Sequence, residues 1–133
     1  MGRRRALALV VIAVVAAVAM PSRAERYAVA VLQGLDKITA RVSTIEAPVG
    51  EATEFGSLRI TARACDKRPP VEPPESAAFL EISDAKPGEA RVDLFSGWMF
   101  ASSPALSALE HPVYDVWVLD CTNAESSSSD KSE

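Results

Sequence analysis

The sequence predicts a mainly β fold: a small antiparallel barrel or sandwich of about six strands, with one short helix before the last strand and one disulfide. Three observations carry this. Short runs alternate apolar and polar side chains with a period of two, the mark of strands with one buried face. Clusters of Pro, Gly, Asp and Ser punctuate those runs at intervals that suit turns. The chain also holds two cysteines, Cys65 and Cys121, far apart in sequence.

Tyr27 to Leu32 is aromatic-led and β-branched, ends near Gly34, and reads as the first strand. Lys37 to Ile45 reads as the second, with Ile38, Ala40 and Val42 pointing one way and Lys37, Thr39, Arg41 and Ser43 the other. Pro48-Val49-Gly50-Glu51 supplies a turn. Leu58 to Cys65 alternates again, placing Leu58, Ile60, Ala62 and Ala64 on one face and Arg59, Thr61 and Arg63 on the other. Pro69, Pro70, Pro73 and Pro74 then remove backbone donors, so Asp66 to Ser76 is expected to be a stiff connection. Its Pro-rich, cation-flanked sequence would also suit a polyproline ligand.

Ala77 to Ser83 resumes as a strand with Leu80 and Ile82 inward, and Lys86-Pro87-Gly88-Glu89 is a turn. Arg91 to Leu94 opens the next strand, which runs into the aromatic segment Phe95 to Phe100; Gly97 inside it suggests a bulge or a close backbone approach. Ser103 suits an N-cap and Pro104 a first helical position, so a short helix is expected over 104–110, closed by His111-Pro112. Tyr114 to Cys121 is the last strand, with Trp117, Leu119 and Cys121 on one face and Val116 and Val118 on the other; apolar residues on both faces suit a central position.

The two ends of the chain read differently. Arg3, Arg4 and Arg5 precede 15 uninterrupted apolar residues, Ala6 to Met20, and Pro21-Ser22-Arg23-Ala24 resembles a peptidase site. That is a signal peptide over residues 1–24, with cleavage after Ala24 and a periplasmic destination. The apolar run falls short of the roughly 20 residues a membrane span needs, though an uncleaved anchor is the alternative. Residues 25–122 form one β-rich domain, and the Ser-rich acidic stretch 123–133 is expected to be disordered.

Charge and composition narrow the chemistry. Removing the leader takes four of the 14 cationic residues and leaves ten against 18 acidic ones, a net charge of −8. Nucleic acid, whose binding rests on neutralising phosphates, is thereby disfavoured as a partner. Two cysteines in an oxidising compartment are expected to pair as Cys65–Cys121. With one histidine they fall short of the four ligands of a structural zinc site, and no cofactor motif is present.

Several longer phrases, Leu35-Asp36-Lys37, Pro48-Val49-Gly50-Glu51, Phe55-Gly56-Ser57-Leu58, the run from Phe95 to Leu106, and His111-Pro112-Val113-Tyr114-Asp115-Val116-Trp117, resemble a family of small exported bacterial proteins catalogued as domain of unknown function 2155. The resemblance spans residues 32–122. It implies a Gram-negative, periplasmic setting and brings no established activity, ligand or catalytic residue.

Function is therefore sought in the residues themselves. His111 is the sole histidine, so a hydrolase would pair it with Ser96, Ser102 or Ser103 and with Asp115 or Asp120; the Gly-x-Ser-x-Gly elbow is absent. The competing role for His111 is closing the turn into the last strand. Glu81, Asp93, Asp115 and Asp120 are candidate carboxylates for glycoside hydrolysis, although most are expected on solvated strand faces. Trp98, Met99, Phe100 and Leu106 form the candidate interaction surface, with burial in the core as the alternative. The expected function is a non-enzymatic binding or scaffolding component of the cell envelope, its partner an envelope protein or a glycan. A glycan- or peptidoglycan-binding role would run through Trp98 or Trp117.

Overall fold

The computed structural model describes residues 25–123, so the expected leader and all but the first residue of the expected tail lie outside the described residues. The described strands are β1 (Glu25–Arg26), β2 (Val29–Asp36), β3 (Arg41–Pro48), β4 (Ala52–Phe55), β5 (Leu58–Lys67), β6 (Ser76–Asp84), β7 (Val92–Phe100) and β8 (Tyr114–Thr122). They form two antiparallel sheets. In the first, β5, β6 and β7 are neighbours in that order, while β1 and β4 pair with opposite ends of β5. The second has the order β3-β2-β8. One core joins them, with Leu58, Ile60, Leu80 and Ile82 contributed by the first sheet and Ala30, Leu32, Val116 and Val118 by the second. Among the described residues no ladder closes one sheet onto the other, so they form two facing sheets and no barrel.

Two of the eight strands, β1 and β4, exceed the expected six; each is too short to show a period. The expected strand from Lys37 is shorter than anticipated. Asp36 Oδ1 accepts hydrogen bonds from the backbone N–H of Ile38 (2.9 Å) and Thr39 (3.2 Å), and Ala40 takes a positive φ of 56°. This side-chain-capped turn competes with strand geometry and wins. β3 therefore begins at Arg41, and Ile38 and Val42 are exposed.

Cysteine burial depends on two bulges. On β5, Ala62 faces Leu80 and Ala64 faces Phe79, which leaves Arg63 as an extra residue. On β8, Asp120 faces Val31 and Val118 faces Leu32, which leaves Leu119 extra. An extra residue reverses the inward–outward phase of everything beyond it. Cys65 and Cys121 thus turn into the core, and Ala64 and Leu119 do not. The cysteines are disulfide-bonded, with Cα atoms 5.8 Å apart, and the bond ties one sheet to the other. β8 is consequently an edge strand with one buried face, and β2 holds the centre of its sheet.

A third bulge sits on β7 at Leu94, between the Ile82–Phe95 and Ser83–Asp93 pairs, and none occurs at Gly97. A Cβ built on Gly97 would meet the Phe95 ring at 3.5 Å, an ordinary contact, so no close approach demands that glycine. Gly34 is different. A Cβ there would fall 2.7 Å from the Phe55 ring and 2.8 Å from Ile45 Cδ1. We predict that Gly34→Ala destabilises the domain by about 1–3 kcal/mol through overpacking. Urea denaturation checks this, and an unchanged midpoint would refute it.

The expected helix is absent. Pro104–Ser107 forms a single 3₁₀ turn, with the N–H of Leu106 donating to Ser103 O at 3.1 Å and no cap from the Ser103 side chain. Helix nucleation is costly, and seven residues before His111-Pro112 leave too little length to repay it. Ala108 is already extended, which sends Leu109 into the core and leaves Leu106 75% exposed.

Candidate functional site

The outward face of the β5-β6-β7 sheet is built in rows by its register. One row reads Ala64, Phe79, Trp98 across the three strands, and the next reads Asp66, Ala77, Phe100. Beyond Asp66 and Ala77 the hairpin continues by one backbone bond, Arg68 N–H to Glu75 O at 3.0 Å, which sets Arg68 opposite Glu75. Ala77 is the smallest side chain in this setting. The result is a hollow of about 320 Å³ lined by Asp66, Arg68, Glu75, Ala77, Trp98 and Phe100.

Each wall is held. Trp98 meets Phe79 edge-to-face, with ring centroids 5.6 Å apart and planes at 83°. Such a contact orients the indole while leaving it 38% exposed. The Glu75 carboxylate accepts the backbone N–H of Ser102 at 3.2 Å and the Ser102 hydroxyl. Burial acts to raise the Glu75 pKa, but these bonds and the Arg68 charge outweigh it and hold the carboxyl below its ordinary value. Arg68 makes no salt bridge among the described residues. Asp66 Oδ1 is buried and meets no hydrogen-bond donor there.

Of the four residues singled out from sequence, the hollow gathers two, Trp98 and Phe100. Met99 lies between them on β7 and so points the opposite way; it is 3% exposed and belongs to the core. That corrects its placement on the interaction surface. Leu106 is exposed on the 3₁₀ turn and does not line the hollow. Asp66, Arg68, Glu75 and Ala77 were not singled out. They border the Pro-rich connection, but only the cross-strand register brings them to the aromatic pair. The connection itself closes on Glu72 N–H to Pro69 O at 3.0 Å, and Val71 at its tip is exposed. Trp117 is half-buried in a separate depression of about 300 Å³ with Pro104, Ala105, Ala108, Asp115 and Val116.

His111 is committed elsewhere. Its Nδ1 accepts the backbone N–H groups of Val113 and Tyr114, both at 3.0 Å. With that nitrogen an acceptor, the ring proton sits on Nε2 and is donated to Asp84 Oδ2 at 2.9 Å. Both side chains are buried. No lone pair remains for a general base, so the hydrolase drawn through His111 lacks its central group. Four of the other catalytic candidates also have partners. Ser102 binds Glu75, Asp120 pairs with Lys67 at 2.9 Å, and Glu81 pairs with Arg63 at 3.0 Å. Asp115 accepts the backbone N–H of Val116 at 2.9 Å. Among the described residues no three His, Cys, Asp or Glu side chains converge as a metal site requires.

Comparison with known proteins agrees with the phrases read from the sequence. The profile of a family described as uncharacterised proteins conserved in bacteria matches residues 30–121, a stretch that includes both bonded cysteines and every residue lining the hollow. An uncharacterised protein of Rickettsia prowazekii (strain Madrid E) is 36% identical over 87 residues, covering 65% of this chain and 56% of that protein. The chain thus spans little more than half the length of this relative. No solved structure matches. With both sheets inside the matched region, the chain belongs to the bacterial family designated domain of unknown function 2155.

Proposed function

We propose that the protein is a non-enzymatic binding module of the bacterial cell envelope, exported to the periplasm and engaging its partner through the outward face of the β5-β6-β7 sheet. The observation that carries this reading is the hollow around Ala77, where an oriented, partly exposed Trp98 stands beside Phe100 and a charged rim. Tryptophan in such a setting offers large contact area at little entropic cost, as binding hot spots do. The leader-like run from Arg3 to Ala24 supports export, and so does a cross-link of the kind that persists in oxidising compartments. The engagement of both His111 nitrogens supports a role without catalysis.

The test uses isolated envelopes and the protein as it accumulates from its full coding sequence. We expect it to fractionate with the periplasm, shortened by the leader, and to be retained by the envelope preparation. Trp98→Ala should weaken retention about thirtyfold, the effect of losing a hot-spot residue worth about 2 kcal/mol. Equal retention by a variant with unchanged melting temperature would overturn the proposed surface.

A further inference from the structure

We infer that the hollow over Ala77 is a carbohydrate subsite, seating one pyranose ring of an oligosaccharide with its C–H face against Trp98 and Phe100 and its hydroxyls toward Asp66, Glu75 and Arg68. The inference rests on the binding-module reading and specifies its ligand.

The chemistry of the walls selects this guest. A pyranose is amphipathic in the same sense as the hollow, apolar on one face and ringed by groups that both donate and accept hydrogen bonds. Trp98 and Phe100, two residues apart on β7, supply the apolar side. The rim supplies carboxylates, which only accept, and a guanidinium, which only donates. Asp66 lines the hollow as a partly exposed residue, while its Oδ1 is closed off even from water and takes no part in the contact. The rim is mixed in sign, two carboxylates and one guanidinium, and the hydroxyls of a neutral polyol can donate to the former and accept from the latter at once.

Size and extension agree. About 320 Å³ lies at the low end of the roughly 300–1,000 Å³ found for ligand sites, which suits a single ring. Along the same face a second depression of about 550 Å³ includes Thr61, Glu81 and Ser96. Ser96 and Glu81 stand two residues along β7 and β6 from Trp98 and Phe79. The distance from Phe100 to Ser96 is about 13 Å at ordinary strand rise, so a short linear oligosaccharide could lie along the strands past Trp98.

The experiment places Trp117→Phe in every variant, leaving Trp98 as the reporting fluorophore, and titrates the exported protein with chitotriose, cellotriose and maltotriose. Saturable quenching by at least one trimer is expected. Ala77→Leu, which fills the hollow on an outward face, should weaken that binding at least tenfold, while Leu106→Ala, outside the hollow, leaves it unchanged. Melting temperatures establish that both variants are folded. Absence of saturable quenching by all three trimers, or binding that folded Ala77→Leu leaves intact, would overturn the sugar assignment. If envelope retention nonetheless still depends on Trp98, the binding module stands and its ligand is a protein segment; if neither depends on Trp98, both readings fall.

Discussion

Replacing Cys65 and Cys121 together with alanine is expected to lower stability by about 4 kcal/mol, the chain-entropy value for a loop closed over 56 residues. The loop runs from β5 in one sheet to β8 in the other, so its removal frees the two halves of the core from each other in the unfolded chain. Domains of this size are stable by only about 5–15 kcal/mol, and the loss is a large fraction of that. Both cysteines are only 1% exposed, so alanine also leaves small voids. Reducing the wild-type protein separates the terms, because reduction opens the loop without deleting atoms. Urea unfolding with and without reductant should show a lower midpoint and a steeper dependence on denaturant once the bond is open, since the uncrosslinked unfolded chain exposes more surface. Coincident curves would show that the bond contributes nothing. Reduction of the native protein should in addition be slow and track unfolding, because no thiolate reaches buried sulfur atoms directly.

The same two residues mark where sequence reading worked and where it stopped. Pairing Cys65 with Cys121 needed only their number and the expected compartment. Which way they point did not follow from alternation, because Arg63 and Leu119 each insert one residue and reverse the phase just before the cysteine. Neither residue type announces a bulge. Leu80 and Ile82, on a strand with no interruption before them, were placed correctly by period alone. The site divides in the same manner. Trp98 and Phe100 stood out as exposed-capable aromatics, and strict alternation across Gly97, Trp98, Met99 and Phe100 would have removed Met99 from the surface. Asp66, Arg68, Glu75 and Ala77 reach the aromatic pair only through long-range register, which a single sequence does not encode locally. The short helix failed for another reason: Ser103 and Pro104 open a turn, but the Ser103 side chain does not cap it and the run could not supply a second turn.

His111→Ala is expected to cost about 3 kcal/mol or more, the penalty for leaving a buried carboxylate and two backbone N–H groups without their hydrogen-bond partner. The imidazole satisfies three buried or partly buried groups at once, Asp84 Oδ2 and the N–H groups of Val113 and Tyr114, and alanine leaves all three without it. Asp84 feels the loss most, because no hydrogen bond of ordinary geometry reaches its Oδ1. Asp84→Asn keeps an acceptor for the Nε2 proton and should cost less than Asp84→Ala; the double variant should cost less than the sum of the single ones, as coupled neighbours do. Acid provides an independent check. The nearby Ser57 hydroxyl and the bond from His111 hold the Asp84 carboxyl below its ordinary value. A carboxyl lowered by folding contributes its full stabilisation above the unfolded pKa, near 4, and loses it as pH falls through the folded value. Stability of the wild type should therefore fall below about pH 4 more steeply than that of Asp84→Asn, with the two curves parallel at neutral pH. Parallel curves throughout would mean that Asp84 gains nothing from its burial beside His111. A His111→Ala protein with unchanged melting temperature but lost activity on an ester or glycan would go further: it would return His111 to catalysis, which its two occupied nitrogens argue against.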